Sequence, residues 1–260
     1  MGSIIEVQGV SKAFGGLHVI NDCSIAVEEG SITGLIGPNG AGKSTLFNLI
    51  AGAFPVDQGT ITLAGENITN LPSNVLFEKG LLRTFQIAQE FTHMSALENL
   101  MMVPPNQPGE NIFNTWFQPG KVRDFETGVR QKAMEVIDFI GLDHVKNELA
   151  GNLSGGQKKL LELGRTMMVD AKVVLLDEIA AGVNRTLLQD LVGNIKRLNQ
   201  EMGYTFLVIE HDMDMIAELC DPVIVLAQGS VMVEGTIEEI RNNPQVIEAY
   251  FGSDPNEAGA

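Results

Sequence analysis

Apolar and polar residues alternate over the first third of the chain, which is the pattern of half-buried β-strands. Glycine-containing turns and two short stretches with helical spacing separate these alternating runs. We predict strands at 4–10, 19–27, 32–36, 59–65 and 81–86, and helices at 43–50 and 72–79. The first two strands are close enough in sequence to form a small antiparallel meander.

The middle of the chain has a different character, because its apolar residues recur at helical rather than strand spacing. Helices are predicted at 95–101 and 122–140, whereas residues 104–120 show no clear period. Since this stretch lies between segments in which strands and helices alternate, we interpret it as an inserted helical subdomain.

The last part of the chain returns to alternating helices and strands. The run Val173–Asp177 is apolar up to its last residue, as in a strand that is buried on both faces of a parallel sheet. We predict helices at 158–168, 185–202 and 213–220, strands at 173–177, 204–209, 222–226 and 230–234, and a closing helix.

A glycine-rich loop joins the apolar strand at 32–36 to the helix at 43–50. It fits GxxxxGK[ST] in the strand–turn–helix context in which that pattern binds phosphate. Glycines let backbone N–H groups curl round an oxyanion, and the helix N-terminus adds its positive dipole end. Lys43 can reach the β- and γ-phosphates of a nucleotide, and the Ser44 hydroxyl can ligate Mg²⁺. The predicted nucleotide-binding residues here are Gly37, Pro38, Asn39, Gly40, Ala41, Gly42, Lys43, Ser44 and Thr45.

The alternation of strands and helices around such a loop predicts an α/β fold with a P-loop NTPase core. We expect this core to carry an N-terminal antiparallel β subdomain and an inserted α-helical subdomain. In a single domain over 1–260, we assign 1–86 and 160–250 to the core, 87–159 to the helical subdomain and 251–260 to a tail.

The charge balance narrows the possible partners. The net charge of −16 argues against wrapping nucleic acid and disfavours attraction to an anionic lipid surface. No apolar run approaches the ~20 residues that span a bilayer, and residues 1–6 lack a secretory signal pattern. We expect Cys23 and Cys220 to be buried free thiols in a reducing cytosol. Any role in a membrane process should therefore depend on a partner.

Two adjacent carboxylates, Asp177 and Glu178, end the buried strand at 173–177 and begin the loop after it. A phosphate loop needs an acidic residue at the end of a neighbouring strand to hold Mg²⁺, and Asp177 occupies that position. The side chain of Glu178 should point in a different direction, which suits a general base or a water-positioning group.

A second anion site is predicted at the start of the helix that follows residue 153. Ser154 is its expected N-cap, and the two glycines after it leave backbone donors unobstructed. The predicted ligand-binding residues are Ser154, Gly155, Gly156 and Gln157. This site is far from the phosphate loop along the chain, so the simplest arrangement is two chains head-to-tail, each completing the other's site.

Together these motifs resemble those of the nucleotide-binding subunits of ATP-binding cassette (ABC) transporters, in family order and over essentially the whole chain. The resemblance implies ATP and Mg²⁺ as cofactors, and it makes Leu153–Gln157 the family's signature motif. It also implies that Phe14 stacks on adenine, that Gln86 senses Mg²⁺ or its water, and that His211 contacts the γ-phosphate. The implied catalytic residues are Glu178, His211, Lys43 and Gln86, and the implied metal ligands are Ser44, Gln86 and Asp177.

Two positions depart from the family pattern. Ile179 stands where the family commonly has proline, which leaves the backbone at Glu178 less constrained. Asn184 stands where the D-loop commonly ends in aspartate, which keeps the hydrogen-bonding capacity and loses the charge.

The residues within these motifs are similar to those of branched-chain amino acid importers. The insert at 104–121 is similar to that of the larger of the two ATPase subunits in these importers. The other segments that carry this similarity are 14–17, 83–86, 157–165, 208–213 and 249–252. The resemblance implies polytopic permease subunits, a second identical or different ATPase subunit and, indirectly, a substrate-binding protein as partners. It implies a peripheral location at the cytoplasmic face of the membrane.

Three alternatives stay open on the sequence. Importers of urea, short amides or other amino acids have many of the same motif residues. Because the cargo does not touch an ATPase subunit, the sequence does not fix which of these is transported. Soluble ABC ATPases without a permease usually carry two cassettes or a long coiled coil, neither of which is present here. A catalytically inactive scaffold is disfavoured because Lys43, Asp177, Glu178 and His211 are all in place.

Overall fold

The computed structural model describes residues 2–84 and 90–251. These residues form two compact units. The first unit takes the described residues within Met1–Arg83, Lys172–Ala180 and Lys196–Ala260, and the second takes those within Thr84–Ala171 and Ala181–Ile195.

Every strand within the described residues lies in the first unit, and these strands form two sheets. In chain order they are β1 (Ser3–Phe14), β2 (Leu17–Glu28), β3 (Ile32–Ile36), β4 (Gln58–Leu63), β5 (Glu66–Asn67), β6 (Leu81–Arg83), β7 (Val173–Asp177), β8 (Thr205–Ile209), β9 (Val223–Ala227) and β10 (Ser230–Gly235). One sheet has the order β2-β1-β4-β5 and is antiparallel. The other has the order β10-β9-β3-β8-β7-β6 and is parallel except at the β10–β9 pair. The predicted P-loop core with an N-terminal antiparallel subdomain is confirmed.

The helices are distributed over both units. In chain order they are α1 (Lys43–Ile50), α2 (Ser73–Glu78), α3 (Ala96–Met101), α4 (Ile112–Phe117), α5 (Pro119–Phe139), α6 (Gly155–Met167), α7 (Arg185–Met202), α8 (Met213–Leu219), α9 (Ile237–Arg241) and α10 (Pro244–Phe251). The first unit contains α1, α2 and α8 to α10, and the second contains α3 to α6. Helix α7 begins in the second unit and ends in the first.

The core of the first unit explains the position of the glycine-rich loop. Strands β3, β7 and β8 are buried at every position, as their continuous apolar runs predict. Leu46, Phe47 and Ile50 of α1 pack into the same apolar cluster as residues of both sheets. Because β3, β8 and β7 are parallel neighbours, the loops that follow them leave the sheet at one edge.

The second unit is held by close helix packing. A Cβ added at Gly164 of α6 would lie 2.8 Å from Ile140 Cδ1 and 3.0 Å from Val136 Cγ1. This contact joins α6 to the end of α5, so packing groups residues 160–171 with the helical unit. The sequence motifs instead assign residues 160–171 to the nucleotide-binding core. That division of the chain by function stays a prediction.

Several predicted elements differ from those observed. Helix α4 lies within 104–120, where no period is visible because its apolar residues are exposed rather than confined to one buried side. The closing helix is two helices, α9 and α10, and α6 begins at Gly155 rather than at 158. Strand β6 ends at Arg83, and residues 85–86 of the strand predicted at 81–86 lie outside the described residues.

Other expectations from the sequence have clear outcomes. Cys23 and Cys220 are buried free thiols, as predicted. Between residues 2 and 84 and between 90 and 251, each helix is too short or too polar to cross a bilayer. The predicted tail at 251–260 begins with the last residue of α10, and its other residues lie outside the described part of the chain.

Candidate nucleotide-binding and hydrolysis site

Lys43 bridges the glycine-rich loop from the first turn of α1. Its Nζ donates hydrogen bonds to the carbonyl oxygens of Gly37 (2.7 Å) and Pro38 (3.1 Å). Burial lowers the pKa of Lys43, while the negative charge of Glu178 acts in the opposite direction. The ammonium group therefore lies inside the loop and within electrostatic reach of Glu178.

At two positions of the loop, neighbouring backbone atoms come too close for any residue other than glycine. A Cβ at Gly37 would lie 2.1 Å from the carbonyl oxygen of Leu226, and one at Gly42 would lie 2.9 Å from that of Val19. Gly42 also has a φ of 102° and gives α1 no side-chain cap. The N-terminus of α1 is thus open to an oxyanion, which is the geometry that a nucleotide phosphate needs.

The remaining loop residues differ in exposure. Asn39 and Gly40 are exposed at the tip, Ala41 is buried, and Thr45 is half-buried in the first turn of α1. The side chain of Ser44 is exposed beside Lys43, so its hydroxyl is free to face a ligand in solvent.

Asp177 is buried at the end of β7 and forms an ion pair with a residue that belongs to no phosphate-binding motif, Arg83. Its Oδ2 accepts a hydrogen bond of 2.8 Å from the guanidinium of Arg83, the last residue of the neighbouring strand β6. The same guanidinium donates to Asn48 Oδ1 (2.6 Å), and Asn48 Nδ2 donates to the carbonyl oxygen of Ser44 (2.7 Å). Arg83 and Asn48 therefore connect the two predicted metal ligands, Asp177 and Ser44.

The Asp177 and Ser44 donor set fits Mg²⁺ held together with a nucleotide. Within residues 2–84 and 90–251, no group of three or more His, Cys, Asp or Glu side chains could hold a metal ion. Mg²⁺ usually binds through one or two carboxylates plus substrate phosphates rather than in an all-protein cage. A single buried carboxylate and a nearby hydroxyl are what such a site requires.

Glu178 adopts a backbone conformation that is unusual for a residue other than glycine. Its φ is 49°, in the left-handed region, and its N–H donates to the carbonyl oxygen of Ile209 (2.9 Å). Its Oε1 lies 3.1 Å from His211 Nε2. Ile179, where the family pattern has proline, is buried. The loop after β7 therefore turns away from the sheet with Glu178 directed toward His211.

Glu210 joins the two loops that carry Glu178 and His211. It is buried, and its carboxylate accepts hydrogen bonds from the N–H groups of Ala180 (2.8 Å) and His211 (3.2 Å). Burial raises the pKa of Glu210, and these two hydrogen bonds oppose the rise. A residue like Glu210 could be found in the sequence as a carboxylate that directly follows a buried apolar strand. A carboxylate buried there needs hydrogen-bond donors from neighbouring loops.

Phe14 is partly exposed and packs against a second aromatic ring. It is 42% exposed, and its ring meets that of Phe54 edge-on at a centroid distance of 5.5 Å. Lys12 Nζ lies 5.4 Å from the centroid of the Phe14 ring and is paired with Asp57. Phe54 is a second aromatic of this surface, and no sequence motif identifies it.

In the second unit, the motif at 154–157 forms the N-terminus of α6. Ser154 Oγ accepts from the N–H of Gln157 (3.3 Å), and Gln157 Oε1 accepts from the N–H of Ser154 (2.9 Å). Ser154 and Gly155 are exposed, whereas a Cβ at Gly156 would lie 2.5 Å from Leu187 Cδ1 of α7. The predicted N-cap is confirmed, and the side chain of Gln157 is engaged in that cap.

Asn184 caps the start of α7 in the same unit. Its Oδ1 accepts from the N–H of Leu187 (3.0 Å), so this departure from the family pattern keeps the hydrogen bond that an aspartate could make.

The predicted site residues thus fall into three groups. The first unit brings together Lys43, Ser44, Asp177, Glu178 and His211 at the carboxyl edge of the parallel sheet, and it also carries Phe14. The second unit holds Ser154, Gly155, Gly156 and Gln157. Gln86 lies outside the residues that the structure describes.

Comparison with known proteins gives consistent matches along the chain. Residues 20–181 match the family model described as ABC transporter, and residues 230–255 match a model described as branched-chain amino acid ATP-binding cassette transporter. The chain is 42% identical to a probable branched-chain amino acid transport ATP-binding protein, LivG, of Archaeoglobus fulgidus, over 98% of this chain and 97% of that protein. It is 39% identical to the high-affinity branched-chain amino acid transport ATP-binding protein BraF of Pseudomonas aeruginosa, over 96% and 98%. A solved ADP conformation of an ATP-binding cassette of an ABC transporter has a TM-score of 0.82 and 34% identity, over 97% of this chain and 100% of that chain.

Proposed function

The chain belongs to the ABC transporter family, among the ATP-binding proteins of branched-chain amino acid transporters, and we propose that it drives the uptake of branched-chain amino acids through a membrane permease. Membership of this family makes the chain an ATPase. The observation that carries the proposed cargo is the 42% identity, over 98% of the chain, to a relative named for that transport. The family model at residues 230–255 supports the same cargo.

In this proposal the glycine-rich loop holds the phosphates of ATP. The backbone donors at the N-terminus of α1 and the ammonium of Lys43 bind the β- and γ-phosphates, which replace the carbonyl oxygens of Gly37 and Pro38 as partners of Lys43. Ser44, Asp177 and Gln86 would hold Mg²⁺, which would neutralise charge on the phosphate oxygens. Phe14 offers its partly exposed ring to adenine.

Glu178 then activates the water that attacks the γ-phosphorus. Its carboxylate orients that water and accepts its proton, the bond between the γ-phosphorus and the β–γ bridging oxygen breaks, and ADP leaves. Lys43 stabilises the charge on the transferred phosphoryl group. His211 contacts the γ-phosphate and, 3.1 Å from Glu178, fixes the direction of the carboxylate. Gln86 comes three positions after Arg83 in sequence, and its role in this proposal is to report the state of the metal site to the permease.

A second ATPase chain completes the site. Ser154, Gly155, Gly156 and Gln157 of one chain close on the γ-phosphate that is bound by the other, in a head-to-tail pair. The exposed Ser154 and Gly155 at the start of α6 support this role. The pair works at the cytoplasmic face of the membrane on two polytopic permease subunits, which receive cargo from a substrate-binding protein.

The experiment that tests this function has two steps. The chain is purified from detergent-solubilised membranes, and we expect two polytopic permease subunits to accompany it. The complex is then reconstituted with its binding protein, and we expect leucine, isoleucine or valine to stimulate ATP hydrolysis. Stimulation by urea or a short amide alone would contradict the proposed cargo, and the absence of any permease would contradict the transport role.

A further inference from the structure

The turn between β9 and β10 joins strand β2 to the glycine-rich loop of the first unit. The N–H of Gly229 donates to the carbonyl oxygen of Ala41 in that loop (3.0 Å), and the N–H of Asn21 in β2 donates to the carbonyl oxygen of Gly229 (2.9 Å). Asn21 Nδ2 donates to the carbonyl oxygen of Gln228 (2.9 Å), and Ser230 Oγ donates to the carbonyl oxygen of Asn21 (2.7 Å). Asn21 therefore holds the turn through its N–H, its carbonyl and its side chain. We call these five residues the loop junction.

The turn has an unusual backbone that the loop junction maintains. Gln228 has a φ of 50° and Gly229 a φ of 80°, so both lie in the left-handed region. A residue other than glycine stays in that region only where its surroundings fix it, and the Asn21 amide on the Gln228 carbonyl is such a restraint. A Cβ at Gly229 would lie 2.4 Å from the carbonyl oxygen of Val19, so the turn also packs tightly against β2.

The loop junction connects the two halves of the proposed nucleotide site. Strand β2 belongs to the antiparallel sheet, which carries Phe14, whereas the glycine-rich loop follows β3 of the parallel sheet. In the proposed function adenine lies on Phe14 and the phosphates lie in the loop, so one ligand has to meet both sheets. A ligand with two linked groups binds well only where the separation of its two subsites matches its own length. The contacts that hold the loop against β2 should therefore affect the affinity for a whole nucleotide.

We propose that Asn21 is a positioning residue for nucleoside triphosphates. It keeps the turn, and through Gly229 the loop at Ala41, at a fixed separation from the ring of Phe14. The inference rests on the proposed function for the placement of adenine and phosphates, but it does not depend on the cargo. Because Lys43 bridges the loop independently of Asn21, a ligand that has phosphates and no base should not require Asn21.

The affinities of Asn21→Ala for two ligands separate positioning from a general structural role. Asn21 is exposed, so truncation of its side chain leaves the core of the unit intact. Calorimetry of the full-length protein with Mg²⁺ compares a non-hydrolysable ATP analogue with inorganic tripolyphosphate. We expect the variant to bind the analogue about threefold to tenfold more weakly, which is the effect of one lost hydrogen bond. It should bind tripolyphosphate like the parent.

Asn199→Ala is the matched control in the same unit. Asn199 Nδ2 also donates to two backbone carbonyl oxygens, those of Gly30 and Tyr204 (both 2.8 Å). These two residues precede β3 and β8, at the edge of the parallel sheet opposite the glycine-rich loop. The control should therefore keep the parental affinity for both ligands.

Three results would overturn the role of Asn21. They are an equal loss of both affinities in Asn21→Ala, the loss of neither, and a loss of analogue binding in Asn199→Ala as large as that in Asn21→Ala. A parent that binds the analogue but no tripolyphosphate would overturn it as well, because the loop would then not hold phosphates without the base. All four results leave the proposed function in place, whereas a parent that does not bind the ATP analogue would contradict the proposed function itself.

Discussion

His211 Nε2 lies 3.1 Å from Glu178 Oε1, although 33 positions separate the two residues in sequence. They meet because β7 and β8 are parallel neighbours with Asp177 opposite Ile209, so the next residues of both strands leave the sheet side by side. Glu210 fixes both loops through the N–H groups of Ala180 and His211.

Lys43→Ala should remove most of the affinity for MgATP. The ammonium lies in a buried loop, where a charge-assisted hydrogen bond contributes roughly 1.5–3 kcal/mol, which corresponds to a loss of about tenfold to a hundredfold. Isothermal titration calorimetry measures the change directly. Lys79→Ala, which removes a surface partner of Glu66, is the matched control and should bind like the parent. Equal affinity of the Lys43 variant and the control would refute the nucleotide site.

Arg83→Met should destabilise the first unit through Asp177. A buried carboxylate that loses its partner costs about 3–5 kcal/mol, and Asp177 is 4% exposed. The cost should be much smaller in an Asp177→Asn background, where no charge is left unpaired. Urea unfolding of the four proteins gives the coupling energy, which we expect to be about 1–3 kcal/mol. Additive effects of the two substitutions would show that this ion pair does not stabilise the fold.

The free energy of unfolding of Glu210→Gln should rise relative to that of the parent as the pH rises above the ordinary pKa of a glutamate. Burial raises the pKa of Glu210 in the folded state, so the folded protein holds this proton more tightly than the unfolded chain. Ionisation therefore weakens the fold between about pH 4.3, the unfolded value, and the raised folded pKa. The variant lacks this effect, and urea unfolding at a series of pH values measures the difference.

Glu98→Gln is a control with the opposite sign. Hydrogen bonds from Ser95 lower the pKa of Glu98, so its ionised form stabilises the fold above the unfolded pKa, and this contribution is lost as the pH falls. The deficit of the Glu98 variant should grow with rising pH while that of the Glu210 variant shrinks. Parallel pH profiles for the two variants would contradict the assigned directions.

Gly156→Ala should destabilise the second unit, whereas Gly155→Ala should have little effect. The added Cβ at Gly156 would lie 2.5 Å from Leu187 Cδ1 and 2.8 Å from its Cβ, but at Gly155 the nearest atom is 3.4 Å away. Overpacking of this kind costs about 1–3 kcal/mol. Thermal unfolding of the pair tests whether Gly156 serves packing against α7, and similar melting temperatures would contradict that role.

The sequence predicts the parts of the fold whose pattern is local. The glycine-rich loop is recognisable because its glycines are clustered in sequence. The buried strands β3, β7 and β8 are recognisable because each is a short, mostly apolar run. The contact between Arg83 and Asp177 is not recognisable, since it depends on which strands become neighbours. Helix α4 has no visible period, because periodicity reflects one-sided burial and its aromatic residues are exposed.

The site residues follow the same division. Lys43 and Asp177 were selected from the sequence because each occupies a fixed place in a contiguous motif. Glu210 and Phe54 were not, because their roles come from the residues that the fold places beside them. Glu210 acquires its donors from the loop after β7, and Phe54 acquires its importance from the ring of Phe14.

The most direct test of the account is ATP turnover by Glu178→Gln, measured together with ATP binding. The amide keeps the size of the side chain but accepts a proton poorly, so hydrolysis should fall by roughly 10²–10⁴, while calorimetry shows ATP binding retained. Glu29→Gln, on the surface of the same unit, should turn over at the parental rate. The Glu178 variant should also form a dimer with MgATP by size exclusion, since the loss of a negative charge beside the γ-phosphate favours closure. Hydrolysis by Glu178→Gln near the parental rate would contradict the account, because the base would then be another residue.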